Sequence, residues 1–211
     1  MNKNSNCVFC DADESLKIYE TQNLFVLFDP YPLVEGHIMI SSKDHYGCAG
    51  ELPNKIIEEL SFLKEKVRII LNKTYKVVSF YEHGRAGGCM ATDPENRLCH
   101  HFHLHALPFV GNVNEDLNLQ FRGKSVQDFF KVKAYFEGYG EYLYFEDCNG
   151  NAQFYPANGK MVPPHHLRTL ISQYLGKPHR ADWSTYAQHK ERNTIFKTYK
   201  IRSQSDTFLA A

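Results

Sequence analysis

Residues 101–105 alternate without exception between imidazole and apolar side chains. His101, His103 and His105 take every second position, Phe102 and Leu104 stand between them, and Ala106, Leu107 and Pro108 follow. A period of two predicts a half-buried β-strand, with three imidazoles on one face and Phe102, Leu104 and Ala106 turned into a core. Strands are also predicted over residues 17–20 and 24–29, joined by a turn at Thr21-Gln22-Asn23. Asp29-Pro30-Tyr31-Pro32 ends the second, since two prolines bar a central strand from continuing. Residues 36–41, with His37 beside a glycine at their start, and residues 77–82 predict two more strands. Between these the period changes. Ile56, Leu60, Leu63, Val67, Ile70 and Leu71 recur at three- and four-residue steps, which predicts an amphipathic helix over about residues 54–74. Pro53 suits its first turn, and Lys and Arg thicken its later half as the helix dipole favours.

After Pro108 the pattern loosens. Residues 113–123 read as irregular, and 125–136 as a helix with Ser125 as N-cap. Residues 141–146 and 152–155 read as a hairpin around Asn149-Gly150, and 163–175 as a helix ended by Gly176. Residues 192–205 are polar and basic and are expected to pack loosely. The expected organisation is a catalytic domain over residues 1–110 and an α+β extension over 111–211 packed on it.

A chain of 211 residues with 43% hydrophobic content supports a sizeable core. Lys plus Arg equals Asp plus Glu at 24 each, a balance that argues against a nucleic-acid-coating protein and leaves room for a small anion held by local groups. No stretch reaches the roughly 18 apolar residues of a membrane span. The polar first six residues lack a secretory h-region, so a cytoplasmic protein with six reduced cysteines is expected.

Neutral imidazole is a nucleophile and a metal ligand; imidazolium is an acid and an anion binder. Three imidazoles on one face repel when charged, so some are expected to stay neutral. Cys7-Val8-Phe9-Cys10 suits one metal ion held by both thiolates with two further ligands from elsewhere; a redox pair and two free thiols are the competing readings. The glycine-rich run from Glu82 to Cys89 either brings backbone N–H groups to a phosphate or is a plain connection.

Together these residues resemble the histidine triad (HIT) superfamily, whose pattern His-φ-His-φ-His-φ-φ (φ apolar) fits His101 to Leu107 at every position. Cys7 and Cys10, Phe28-Asp29, Gly36-His37 and Lys43-Asp44-His45 match in the family's order, so the resemblance covers roughly residues 7–109. It implies an α+β, HIT-like fold: an antiparallel sheet of about five strands carrying the long helix, usually as a homodimer. It also implies a nucleotide hydrolase or nucleotidyltransferase that cleaves a phosphoric anhydride, ester or phosphoramidate bond. His103 would attack the α-phosphate to give a nucleotidyl-histidine, and His37 and His105 would bind the phosphoryl oxygens and help the leaving group. Asp29 matches an acidic residue that binds ribose hydroxyls, and reads equally as a turn residue before Pro30. The resemblance implies structural zinc on Cys7, Cys10, His45 and His101, a closed Cys2His2 set. The family's Gly-Gln-Ser-type segment is replaced by Arg97-Leu98-Cys99, and Glu82-His83-Gly84 replaces an asparagine-containing one. Candidate substrate contacts are therefore Asp29, Glu82, Gly84, Arg85, Gly87, Gly88 and Arg97. The alternative reading is a non-catalytic, zinc-stabilised nucleotide-binding module.

Overall fold

The computed structural model describes residue 4 and residues 7–87, 100–186 and 189–205. The strands among them are β1 (Lys17–Glu20), β2 (Leu24–Phe28), β3 (Ile38–Ser42), β4 (Ser79–Gly84), β5 (His103–Leu107), β6 (Lys124–Ser125), β7 (Tyr142–Glu146) and β8 (Ala152–Pro156). They form one eight-stranded antiparallel sheet in the order β1-β2-β3-β5-β4-β7-β8-β6. The helices are α1 (Asn54–Tyr75), α2 (Asn114–Gln120), α3 (Phe129–Tyr139), α4 (His166–Tyr174), α5 (Trp183–Tyr186) and α6 (Lys190–Ser205). None of the described helices is long and apolar enough to cross a membrane.

The fold is α+β, and β1–β5 with α1 are the expected five strands and long helix. The sheet then continues past β4. Strand β7 pairs along it from Phe80 opposite Glu146 to Gly84 opposite Tyr142, and β8 follows β7. An open β4 edge would leave a row of unpaired N–H and C=O groups; β7 takes them up.

Period-two alternation sorts the side chains onto two faces. One face buries Leu24, Val26, Ile38, Ile40, Phe80, Phe102, Leu104 and Ala106 against Ile56, Leu60, Leu63 and Val67 of α1 and Phe129 and Val132 of α3. The other carries two smaller clusters. Phe25, Leu27 and Met39 pack with Phe9 and Leu16; Tyr81, Leu107, Leu143, Phe145 and Tyr155 pack with Leu117 of α2 and Leu167 and Ile171 of α4.

Three local expectations differ from the fold. Residues 114–120 are helical: the Asn112 side chain accepts from the Asn114 N–H (3.1 Å), and Leu117 supplies the one deep apolar anchor, too little to register as a period. The helix expected from Ser125 starts at Phe129, where Asp128 accepts from the Lys131 N–H (2.9 Å). Ser125 belongs to β6, since this stretch pairs with β8 and the Val126 N–H donates to the Ala152 carbonyl (3.0 Å). The basic stretch at 192–205 lies within α6, and Phe196 packs edge-on against Phe28 at 5.9 Å.

Candidate functional site

Strand β5 lies between β3 and β4, with His105 opposite Met39 and Tyr81 and His103 opposite Ser41. Directly opposed residues share a face, so His103 and His105 stand with Tyr81 on the face away from α1. The ladder begins only at His103. Just before it, the Phe102 N–H donates to the Tyr46 carbonyl (2.6 Å) and the Ser41 hydroxyl to the Phe102 carbonyl (2.8 Å).

The partners of each ring fix its tautomer. His103 Nδ1 is 2.7 Å from the His101 carbonyl, which can only accept. Nδ1 therefore carries the hydrogen, and Nε2 keeps a lone pair. His37 Nδ1 accepts from the Leu33 N–H (3.1 Å), so its hydrogen sits on Nε2, 2.9 Å from His105 Nδ1. His105 Nδ1 accepts, and its own hydrogen is on Nε2. Burial pushes His37 down to about 4, and pushes His103 below and His105 well below the ordinary imidazole value. All three are neutral at pH 7. The Tyr81 ring stacks flat on His105 (4.2 Å, 7°), and the Phe9 ring covers His103 (4.5 Å, 20°).

Beneath this chain of rings lies Asp29, 3% exposed. One carboxylate oxygen accepts from the Tyr31 N–H (2.7 Å). The other is 3.0 Å from an Arg168 guanidinium nitrogen, 3.4 Å from His37 Nδ1 and 3.6 Å from His105 Nδ1. Burial alone would raise this carboxylate; the charges of His37 and Arg168 and the Tyr31 N–H hold it below its ordinary value. Since His37 is neutral above about pH 4, the guanidinium is the countercharge that persists. Asp29, His37 and His105 also converge closely enough to hold a metal ion. Of these three residues, Asp29 is paired with the guanidinium at 3.0 Å.

Arg168 comes from α4, 139 residues after Asp29. Sequence reading attached no chemistry to this part of the chain. The signal it offered was a charged residue inside an apolar stripe, since Arg168 shares the buried face of α4 with Leu167 and Ile171. A second contact was also missed: His83 Nε2 accepts from the Leu167 N–H (3.1 Å), and burial, with neighbouring His103, drives His83 well below its ordinary pKa.

The other candidate contacts scatter. Glu82 points to the opposite face of the sheet, where its carboxylate accepts from the Ala49 N–H, ahead of α1, and from the Tyr142 hydroxyl of β7, both at 2.8 Å. Gly84 is a close approach: a Cβ there would sit 2.2 Å from the Tyr142 ring. Arg85 pairs with Glu51 at 2.5 Å. Gly87, at φ +75°, packs against Val162 and Pro163. Gly88 and Arg97 lie outside the described residues.

Cys7, Cys10, His45 and His101 converge on one point. Cys7 Sγ is 3.4 Å from His101 Nδ1, Cys10 Sγ is 3.3 Å from His45 Nδ1 and 3.6 Å from His101 Nδ1, and the two Nδ1 atoms are 3.2 Å apart. Ligand atoms around tetrahedral zinc stand about 3.3–3.8 Å apart, so these four residues fit such an ion. The His101 Nε2–H donates to the Ser42 carbonyl (2.8 Å), which leaves Nδ1 as the ligating lone pair. The Asn4 N–H donates to Cys10 Sγ (3.4 Å).

No family model matches the chain. It is 26% identical over 125 residues to an uncharacterized HIT-like protein of Mycoplasma genitalium, covering 54% of this chain and 85% of that one. It is 23% identical over 113 residues to an uncharacterized 16.1 kDa HIT-like protein of Mycoplasma pneumoniae, covering 50% and 72%. Among solved structures it is similar to a HIT family protein from Bacillus anthracis, with 21% identity, 51% and 76% coverage and a TM-score of 0.39.

Proposed function

The chain belongs to the histidine triad (HIT) superfamily, and from that premise we propose that it is a nucleotide hydrolase or nucleotidyltransferase with His103 as nucleophile. The observation that carries this is the 2.7 Å bond from His103 Nδ1 to the His101 carbonyl, which leaves a neutral ring with a free Nε2 lone pair. That lone pair forms the N–P bond to the α-phosphorus while the bond from phosphorus to the leaving oxygen breaks. The hydrogen stays on Nδ1 and is donated to the His101 carbonyl, which stabilises the positive charge of the adduct. The His105 Nε2–H donates to a phosphoryl oxygen and stabilises charge developing there. In the second step water, or another acceptor hydroxyl, attacks phosphorus. The electron pair of the N–P bond returns to His103, and the proton passes to the product phosphate.

Neutral imidazoles favour a leaving group that departs without a proton. A phosphate anion does so at neutral pH and an amine does not, so we read the substrate as a phosphoric anhydride of a nucleotide. The metal, read as structural zinc, would be held by Cys7, Cys10, His45 and His101. Bound there, it would supply a cross-link between the N-terminal segment and the start of β5, with no part in a chemical step. A homodimer remains part of the proposal. Both sides of β4 are taken, by β5 and β7, so such a dimer would form away from that strand; sedimentation velocity reads it.

The test is intact-protein mass spectrometry a few seconds after mixing with dinucleoside polyphosphates or nucleoside phosphoramidates. A nucleotidyl mass on wild type, absent in His103→Ala, with release of mononucleotide, supports the reading. Tight nucleotide binding with neither adduct nor release would favour the binding-module alternative. Faster turnover of phosphoramidates than of anhydrides would overturn the substrate class.

A further inference from the structure

We propose that Arg168, carried by α4, is a positioning residue for the catalytic imidazoles, acting through Asp29 to keep His37 and His105 in a single hydrogen-bonded tautomer. This rests on the reading of His105 as the donor beside the His103 nucleophile. It makes the C-terminal part of the chain a component of the site.

His37 Nδ1 faces two groups with opposite demands. The Leu33 N–H, at 3.1 Å, can only donate, so it needs a bare nitrogen. The Asp29 carboxylate, at 3.4 Å, can only accept, so it calls for a protonated one. Arg168 decides between them. At 3.0 Å its guanidinium is the nearest donor to that carboxylate oxygen, and the Tyr31 N–H satisfies the other. Asp29 then has no need of the imidazole proton. Nδ1 accepts from Leu33, and the Nε2–H points to His105. The titratable and charged groups that face His37 are Asp29 at the end of β2, Arg168 on α4, His105 on β5 and Tyr81 on β4.

The role needs arginine rather than any cation. The same guanidinium donates to the carbonyls of Tyr31 (2.8 Å), Arg180 (3.3 Å) and Ala181 (3.3 Å). It thus ties the turn after β2 to the chain after α4 while holding the carboxylate. A lysine ammonium has one centre and cannot span these acceptors. If the guanidinium is lost, Asp29 remains a buried carboxylate whose nearest proton source is an imidazole. His37 then takes up a second proton on Nδ1, and the Leu33 N–H loses its acceptor.

The experiment uses the full chain with 15N-labelled histidine. Long-range 1H–15N correlation spectra across pH report the tautomer and titration midpoint of His37, independently of turnover. In wild type His37 should be the neutral Nε2–H form from pH 8 down to well below pH 6. In Arg168→Met the midpoint should rise by about 1–3 pH units, the effect expected of an unscreened carboxylate at this range. Asp29→Asn added to Arg168→Met should bring it back, because no buried charge is then unpaired. Arg168→Lys keeps a cation in place should Arg168→Met fail to fold, and its midpoint should rise by a smaller amount. An unchanged His37 spectrum in both Arg168 variants overturns the proposal, even if turnover falls, because Arg168 would then be merely structural. The expected shifts in a protein without turnover would sink the catalytic reading and leave this inference standing.

Discussion

Glu82→Gln should make the protein more stable, and only at neutral to alkaline pH. Glu82 is 1% exposed, on the face of β4 that meets α1, and burial pushes its carboxyl up to about 7 against the two hydrogen bonds it accepts. The folded state therefore binds this proton more tightly than the unfolded chain, where the ordinary value is 4.5. A group raised in this way contributes its full stability below pH 4.5, and the contribution is lost as pH climbs through about 7. The gap between 4.5 and about 7 is worth about 3 kcal/mol. Glutamine keeps the shape: its oxygen accepts from the Ala49 N–H and its amide donates to the Tyr142 hydroxyl, whose own pKa lies well above 10 and so remains a phenol. Urea denaturation of both proteins at several pH values, with metal content held fixed, isolates this one site. The variant's advantage should grow by about 2–3 kcal/mol between pH 5 and pH 8.5. A difference that stays flat across that window would refute the argument and mean that Glu82 is ionised, and well solvated, within the fold.

Removing the metal should loosen the whole N-terminal segment. Cys10 and His101 stand 91 residues apart, and a cross-link closing such a loop is worth about 4–5 kcal/mol. EDTA treatment or Cys10→Ser should thus lower Tm by roughly 10 °C, and an unchanged Tm in protein shown to have carried zinc would contradict the assignment. Leu104→Ala empties a fully buried position beneath α1 and should reduce unfolding free energy by about 2–5 kcal/mol in denaturant titration. Phe9→Ala uncovers the ring of His103, so carbethoxylation of that residue, read by peptide mass, should quicken; equal rates would show that Phe9 does not shield it.

Much of the first hundred residues was legible because its signals are local. The alternation at 101–105 marked the strand and both of its faces, and the three- and four-residue steps from Ile56 to Leu71 marked α1. The Cys7–Cys10 spacing named half of a cluster that could hold a metal ion, and its other half, His45 and His101, was supplied by the family pattern. Illegible stretches were those where one contact outweighs any period. Leu117 alone anchors α2, and pairing with β8 draws Ser125 out of the helix it was expected to cap. Glu82 and Asp29 read alike as carboxylates near the triad, yet one lies behind the sheet with Tyr142 and the other under the imidazoles.

What the sequence determined by itself, then, is which side chains share a face, because strand and helix periods are fixed by backbone geometry between near neighbours. Only the tertiary structure decided which face is covered and by what. It continued the sheet from β4 into β7, and it brought Arg168 across 139 residues to the buried Asp29 carboxylate, 3.4 Å from His37 Nδ1. The physical reason is that a buried charge must be met by a countercharge, and the chain can deliver that partner from any distance along its length, so no local pattern records it.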